Sequence, residues 1–539
     1  MDSVTFTKIF ILNYYFMKRF ILPLSLLIYS AAHSQSELQK AQASTSSYAQ
    51  TYQPPVFSDK DRLARIKEAI PVVEKLYKEY AEKNNFPGMA FGLVVDDQVI
   101  YSDGYGYTDV MKKTKASGKS LFRIASMSKS VTTMAILKMR DEGKLRLDDP
   151  AYLYIPELKS MPLLTADSPA ITIRNLMTHT AGFPEDNPWG DRQLDTKDDE
   201  LIQLIKKGLS NSNVPGVQYE YSNLAFAMLG KIIGKVSGTS YQQYITDSIF
   251  KPLGMNSTLW EYTKAPADLL AHGYRWEDGK WKEEELLHDG TYGAMGGILT
   301  SIEDFGKYMA FHLSAWPPKN DKETGPVKRS SVREMQQPWT FNNLNTRFKY
   351  PDGRTCALVS SYGYGLRISR DCDNRLFAGH TGGLPGFGSQ WWIMPEYGIG
   401  VIANGNLTYA GMNTVNFAVM DTLISIAGLQ PRTLPVSPIL KQRKEELAQL
   451  LPDWSNAERS KIFAVNFFPD KSVEIRRKNS QQLFAKIGKI SAVKDLVAEN
   501  QLRGKFVVEG EKGALEIFFT LTPENPALVQ QLDVKEISK

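Results

Sequence analysis

The chain has 539 residues, 42% of them apolar and 23% charged, and a formal net charge of +5. That length exceeds one ordinary domain, and the composition is that of a soluble globular protein. The mild charge forms no basic stripe, which argues against nucleic acid as a partner. Six histidines with no HExxH or CxxC pair leave no metal motif. Neither a G-x-S-x-G elbow nor a Walker-type glycine loop occurs.

At the start, Lys18-Arg19 precede an apolar run, Phe20 to Ile28, and then the small residues around Ala31-Ala32. This charged, apolar, small-residue order predicts a secretory signal over 1–34, cut after Ser34, with Met17 as an alternative start. An uncleaved anchor is the competing reading, because Ile9 to Phe16 is also apolar; Lys18 and Arg19 interrupt that longer run. The expected location is therefore periplasmic or secreted. No later stretch reaches the ~18 apolar residues needed to span a bilayer. Residues 35–58 read as a flexible leader.

Leu63, Ile66, Ile70, Val73 and Leu76 recur at helical spacing and predict one helix from Asp61 to Lys83. Residues 86–107 read as a β-hairpin turning at Asp96-Asp97, with Gly104-Tyr105-Gly106 taken as a turn. A helix begins just after Ser126 and ends at Gly143, a natural C-cap. Residues 144–290 are mostly short helices and loops, with a helix running into a turn predicted over 171–183 and a helix over 224–238. A helix over 302–312 follows. Strands are expected at Tyr362 to Ile368, Phe387 to Met394 and Ile399 to Ala403, then a helix over 411–427. Strands at both ends of this large unit with helices between them predict an α+β layer bearing a helical insertion. The expected boundaries are 59–429 for the main domain, 430–439 for a linker, and 440–539 for a small α+β accessory domain.

Three clusters could carry chemistry. Ser126 and Lys129 share a helix face at i and i+3, at a helix N-terminus whose free N–H groups favour negative charge. The S-x-x-K pattern alone says little, since Ser248 to Lys251 and Ser491 to Lys494 repeat it. Tyr221-Ser222-Asn223 stands just before the helix at 224, where Ser and Asn also serve as caps. His380-Thr381-Gly382-Gly383 precedes FGSQWWIM and also reads as a turn entering a strand. The only cysteines, Cys356 and Cys372, either pair or remain as two free thiols. On a strand, alternation sends one of Trp391 and Trp392 into the core and the other to the opposite face, where it either borders the substrate cleft or packs in a core, the latter being expected.

Taken together, these motifs resemble the serine β-lactamase and penicillin-binding-protein superfamily. The nearest branch is that of the class C β-lactamases, DD-carboxypeptidases and lactamase-fold esterases. FRIASMSK (122–129) is similar to the family's nucleophile motif, YSN (221–223) to its Tyr-x-Asn motif and GHTGGLPGF (379–387) to its strand motif. LMTHTAGF (176–183) and GAMGGILTSIEDFGKY (293–308) resemble its scaffold signatures. The resemblance spans roughly residues 60–427. It implies the β-lactamase/transpeptidase-like fold, an antiparallel sheet flanked by helices, and no cofactor or metal.

It also implies roles. Ser126 is the nucleophile, and Lys129 and Tyr221 handle its proton. Asn223, His380, Thr381 and Gly382 bind substrate, and the backbone N–H groups of Ser126 and Gly383 form the oxyanion hole. Many family members carry lysine where this chain has His380. A histidine largely neutral at pH 7 weakens the attraction for acidic β-lactams and favours a D-amino-acid peptide or an ester as substrate. A β-lactamase, and a catalytically weak protein that binds cell-wall peptide, are the alternatives. The sequence leaves the oligomeric state open.

Overall fold

The computed structural model describes residues 51–538. The predicted signal and most of the predicted leader lie outside the described residues. Two compact units divide the chain at Pro435 and Val436.

The larger unit opens with two helices, α1 (Arg62–Glu68) and α2 (Ile70–Lys83). The periodicity predicts one helix here, but Pro71 sits in the first turn of α2. A proline lacks the N–H that would continue the ladder, so it starts a second helix instead. The hairpin follows as β1 (Gly88–Val95) and β2 (Gln98–Asp109), with β3 (Thr114–Lys115) beyond it. Gly104-Tyr105-Gly106 lies inside β2 and not at a turn. A side chain on Gly104 would strike the backbone of Ala116 at 2.3 Å, so glycine lets the next segment lie against the strand.

Helix α3 (Ser128–Asp141) carries the first motif, α4 (Asn223–Ser237) follows the second, and α5 (Ile302–Ser314) packs on the sheet. Within 171–183 the helix is short, Ile173–Met177, opened by a reciprocal Thr172–Asn175 cap and followed by a turn.

The remaining strands are β4 (Thr340–Lys349), β5 (Thr355–Tyr362), β6 (Arg367–Asp371), β7 (Leu376–Leu384), β8 (Phe387–Met394) and β9 (Ile399–Gly405), and α6 (Asn413–Ile426) follows them. The strand expected over 362–368 is instead the connection between β5 and β6. Gly365 there has φ +64°, a left-handed conformation that ends a strand. The nine strands form one antiparallel sheet in the order β3-β2-β1-β9-β8-β7-β6-β5-β4.

One face of the sheet buries Trp391 with Phe305 and Tyr308; the other buries Trp392 with Phe377 and Phe417. The alternation of a strand thus sends the two tryptophans into two cores. Cys356 and Cys372 are joined by a disulfide between β5 and the residue after β6.

The smaller unit holds α7 (Pro438–Leu450), α8 (Val473–Ile487) and five strands: β10 (Ile490–Val493), β11 (Val497–Asn500), β12 (Arg503–Gly510), β13 (Ala514–Leu521) and β14 (Val529–Ile537). Its sheet runs β10-β12-β13-β14, with β11 also paired to β12. Buried Leu440, Leu447, Phe467, Ile517 and Phe519 give it a core of its own. Among the described residues, no helix is long and apolar enough to cross a membrane.

Candidate active site

The chain enters the site from a short strand, Phe122–Arg123, through Ala125, whose φ of +49° is unusual for a residue with a side chain. This bend puts Ser126 in a 3-10 turn at the head of α3. Lys129 is completely buried one turn further on. Its Nζ lies 3.0 Å from Ser126 Oγ, 2.7 Å from Asn223 Oδ1 and 3.1 Å from the Met295 carbonyl oxygen. Burial lowers the Lys129 pKa; Asp191 and Asp186 oppose that effect without cancelling it, and Arg367 adds to it. In the neutral amine, the two N–H bonds satisfy the two carbonyl oxygens, which can only accept. The lone pair is then left facing the serine hydroxyl.

Tyr221 completes the group. Its ring lies 4.8 Å from Lys129 Nζ, and its phenol interacts electrostatically with the Ser126 side chain. Burial pushes the phenol well above its ordinary 10, so it is a neutral hydroxyl at physiological pH and not a phenolate. His179 packs beneath this ring at 4.2 Å between centroids, and its Nδ1 accepts from Ser222 N–H at 3.0 Å. The stretch LMTHTAGF thus contributes a prop for Tyr221.

The start of α4 is held equally firmly. Ser222 is its N-cap and accepts from Ala225 N–H at 3.2 Å. Asp186 accepts from the N–H groups of Asn223 at 2.6 Å and Leu224 at 2.9 Å. Asn223 Nδ2 donates to Asn187 Oδ1 at 3.2 Å and to Asp191 at 3.4 Å, which fixes which of its atoms faces Lys129. Within Tyr221-Ser222-Asn223, Ser222 caps the helix while Tyr221 and Asn223 stand beside Lys129.

Strand β7 forms the third wall. Strand β6 pairs with β7 only over Leu376 to Gly379, whereas β8 pairs with it as far as Leu384. The edge of β7 from His380 to Gly383 therefore has no strand partner on the β6 side among the described residues. Thr381, Gly382 and Gly383 are its half-exposed residues. A side chain on Gly382 would meet Ser389 Oγ at 2.2 Å and the Ile124 carbonyl at 2.3 Å, so glycine brings this edge against the turn carrying Ser126. Tyr409, with φ +51°, lies over Gly383.

His380 departs from expectation. It is fully buried, and both ring nitrogens are satisfied inside the protein. Nδ1 faces the Thr381 carbonyl at 2.5 Å and must donate to it, so Nε2 accepts from Tyr362 Oη at 2.9 Å. Burial and the charge of Arg367 push its pKa well below 6.5. The ring is neutral and has no atom free for a substrate; it props β7 from behind.

The positive charge at this position comes from Arg367, which the sequence reading missed. It opens β6 directly opposite Gly379, and its guanidinium lies 5.6 Å from the Tyr221 ring centroid. No carboxylate among the described residues pairs with it, and its buried Nε has no partner. The two other S-x-x-K occurrences have no such setting: Lys251 pairs with Asp247 and Lys494 with Glu509.

The beta-lactamase family model matches residues 73–422, which contain Ser126, Lys129, Tyr221, Asn223, Arg367 and the 380–383 edge. The chain belongs to the beta-lactamase family. Protein flp of Staphylococcus aureus is 31% identical over 344 residues, covering 62% of this chain. The chain spans 63% of the length of that relative. Beta-lactamase-like protein 2 of Dictyostelium discoideum is 26% identical over 500 residues, covering 85% of each chain. The octameric penicillin-binding protein homologue from Pyrococcus abyssi superposes with a TM-score of 0.55 at 20% identity, covering 87% of this chain and 98% of that one. The fold is therefore the β-lactamase/transpeptidase-like fold.

Proposed function

We propose that this protein is an exported serine hydrolase that cleaves D-amino-acid peptides ending in a free carboxylate, through an acyl-enzyme on Ser126. The observation that carries the reading is the position of Lys129, whose amine has two fixed carbonyl acceptors and a third neighbour, Ser126 Oγ. A base held this way takes the hydroxyl proton as Oγ attacks the substrate carbonyl carbon, and the new C–O bond leaves charge on the carbonyl oxygen. The backbone N–H groups of Ser126 and Gly383 receive that charge. When the C–N bond breaks, the proton passes by way of Tyr221 to the leaving amine, and water then hydrolyses the ester.

Arg367 supports a carboxylate-bearing substrate, since an unpaired buried cation is a ready partner for an anion. The free edge of β7 supports an extended peptide, whose backbone would add to it as a strand. Export is supported by the 1–34 signal pattern together with the Cys356–Cys372 disulfide, a bond typical of oxidising compartments.

The test is intact mass and product analysis with N-acyl-D-alanyl-D-alanine and a fluorescent penicillin. Release of D-alanine, and a mass adduct that maps to Ser126, are expected. Ser126→Ala loses both while keeping its melting temperature. Full hydrolysis by Ser126→Ala would sink the assignment.

A further inference from the structure

A cavity of about 620 Å³ lies beside the site, between the 216–219 segment and the first residues of β4. One wall is the extended run to Tyr221: Tyr219, two residues earlier, lines the cavity, and its ring contacts both His179 and Tyr362 at 5.7 Å. The other wall is Trp339 and the first residues of β4. Thr340 there stands opposite Tyr362 on β5, which in turn stands opposite Arg367 on β6, so both walls run back toward Arg367.

The lining mixes polar groups, among them Asn175, Thr178 and Gln218, with the aromatic rings of Tyr219, Trp339 and Phe341. Phe341 is 64% exposed and Val217 66%, although both face this hollow. Trp339 stacks on Tyr364 at 5.0 Å with nearly parallel rings, beneath Arg174. The buried hydroxyl of Tyr219 has no hydrogen-bond partner. A hollow of this size exceeds what a methyl group fills and lies within the range of small-ligand pockets. Edge and face contacts with Trp339 and Phe341 suit an aromatic ring.

We propose that this cavity is the subsite for the side chain of the residue that leaves, and that it takes a large aromatic side chain. The inference rests on the reading of Arg367 as the carboxylate anchor. With the terminal carboxylate held there, the side chain on the same Cα points past Tyr219 into the hollow. The substrate class is then peptides ending in an aromatic D-residue, ahead of those ending in D-alanine.

The experiment separates this subsite from the hydrolase assignment. Ser126→Ala protein is titrated with N-acetyl-D-phenylalanine and with N-acetyl-D-alanine, by calorimetry and by tryptophan fluorescence, which reports on Trp339. The phenylalanine ligand is expected to bind about tenfold more tightly or better. Phe341→Ala, and Val217→Trp as a second variant that fills the hollow, each narrow that ratio to about twofold. Equal binding of the two ligands, or a ratio unmoved by both variants, overturns the subsite. Peptide hydrolysis by the wild-type chain is scored separately. Selective binding without turnover supports the subsite and removes the hydrolase reading; turnover of both peptides without selectivity does the reverse.

Discussion

At the scale of single residues, two charges decide the chemistry. Lys129 is depressed chiefly by burial, so the fraction of neutral base grows as pH rises through a value well below the 10.5 of a free lysine. Acylation is therefore expected to increase with pH along a limb centred below 10.5, measured as pre-steady-state ester cleavage. Lys129→Arg, which cannot deprotonate, should lose that limb and about 10²–10⁴-fold in rate. Arg367 acts on binding. Arg367→Gln is expected to lower kcat/KM about tenfold or more for a peptide with a free carboxylate, mostly through KM, and to leave a neutral ester within twofold. Equal losses on both substrates would assign Arg367 to folding instead. Ser126, Lys129, Tyr221 and Asn223 were readable because their motifs are contiguous. Arg367 was not, since only strand pairing brings it opposite Gly379. His380 was misread because its role depends on Tyr362 and the Thr381 carbonyl, partners that no spacing rule names.

At the scale of elements, the site depends on how closely β7 approaches the head of α3. Gly382 sets that distance. Gly382→Ala places a methyl group against Ile124 O, a backbone atom that cannot swing aside. Overpacking of this kind costs about 1–3 kcal/mol, and here it also moves the edge away from Ser126. Acylation should fall by more than about 10²-fold while the protein still melts cooperatively; wild-type acylation would show that the approach is unimportant. Periodicity revealed α3, α4, α5 and α6, because each presents an apolar face to a core. It fused α1 with α2, where Pro71 intervenes, and it missed β4, whose exposed and irregular register hides the alternation of a strand.

At the scale of the whole molecule, the larger unit buries three histidines in neutral form. Burial lowers His312 to about 3 and holds His179 and His380 well below 6.5. Each folded pKa lies below the unfolded value, so the unfolded chain binds more protons as pH falls. Their contribution is complete above about pH 6.5 and is lost below it, at about 1.4 kcal/mol per pH unit for each histidine. Denaturant titrations between pH 7 and 4 should show this loss, and His312→Gln should flatten the slope by about one such increment. An unchanged slope would mean that His312 is charged in the folded state. A Pro-rich stretch separates two apolar patterns in the sequence, and the chain divides into two compact units at Pro435 and Val436. The sequence could not show that the larger sheet has nine strands, because strand order is set by pairing between distant segments.

The short reach of β6 leaves one edge of β7 at Thr381–Gly383 without the strand that a longer β6 would have supplied. In the free protein, the amides there that point away from β8 should exchange with deuterium within seconds, although they sit in the middle of a sheet. A peptide that completes the ladder slows that exchange in proportion to its occupancy. A non-hydrolysable ligand therefore carries its own clock, read by mass at the outward-facing amides of this stretch without any turnover.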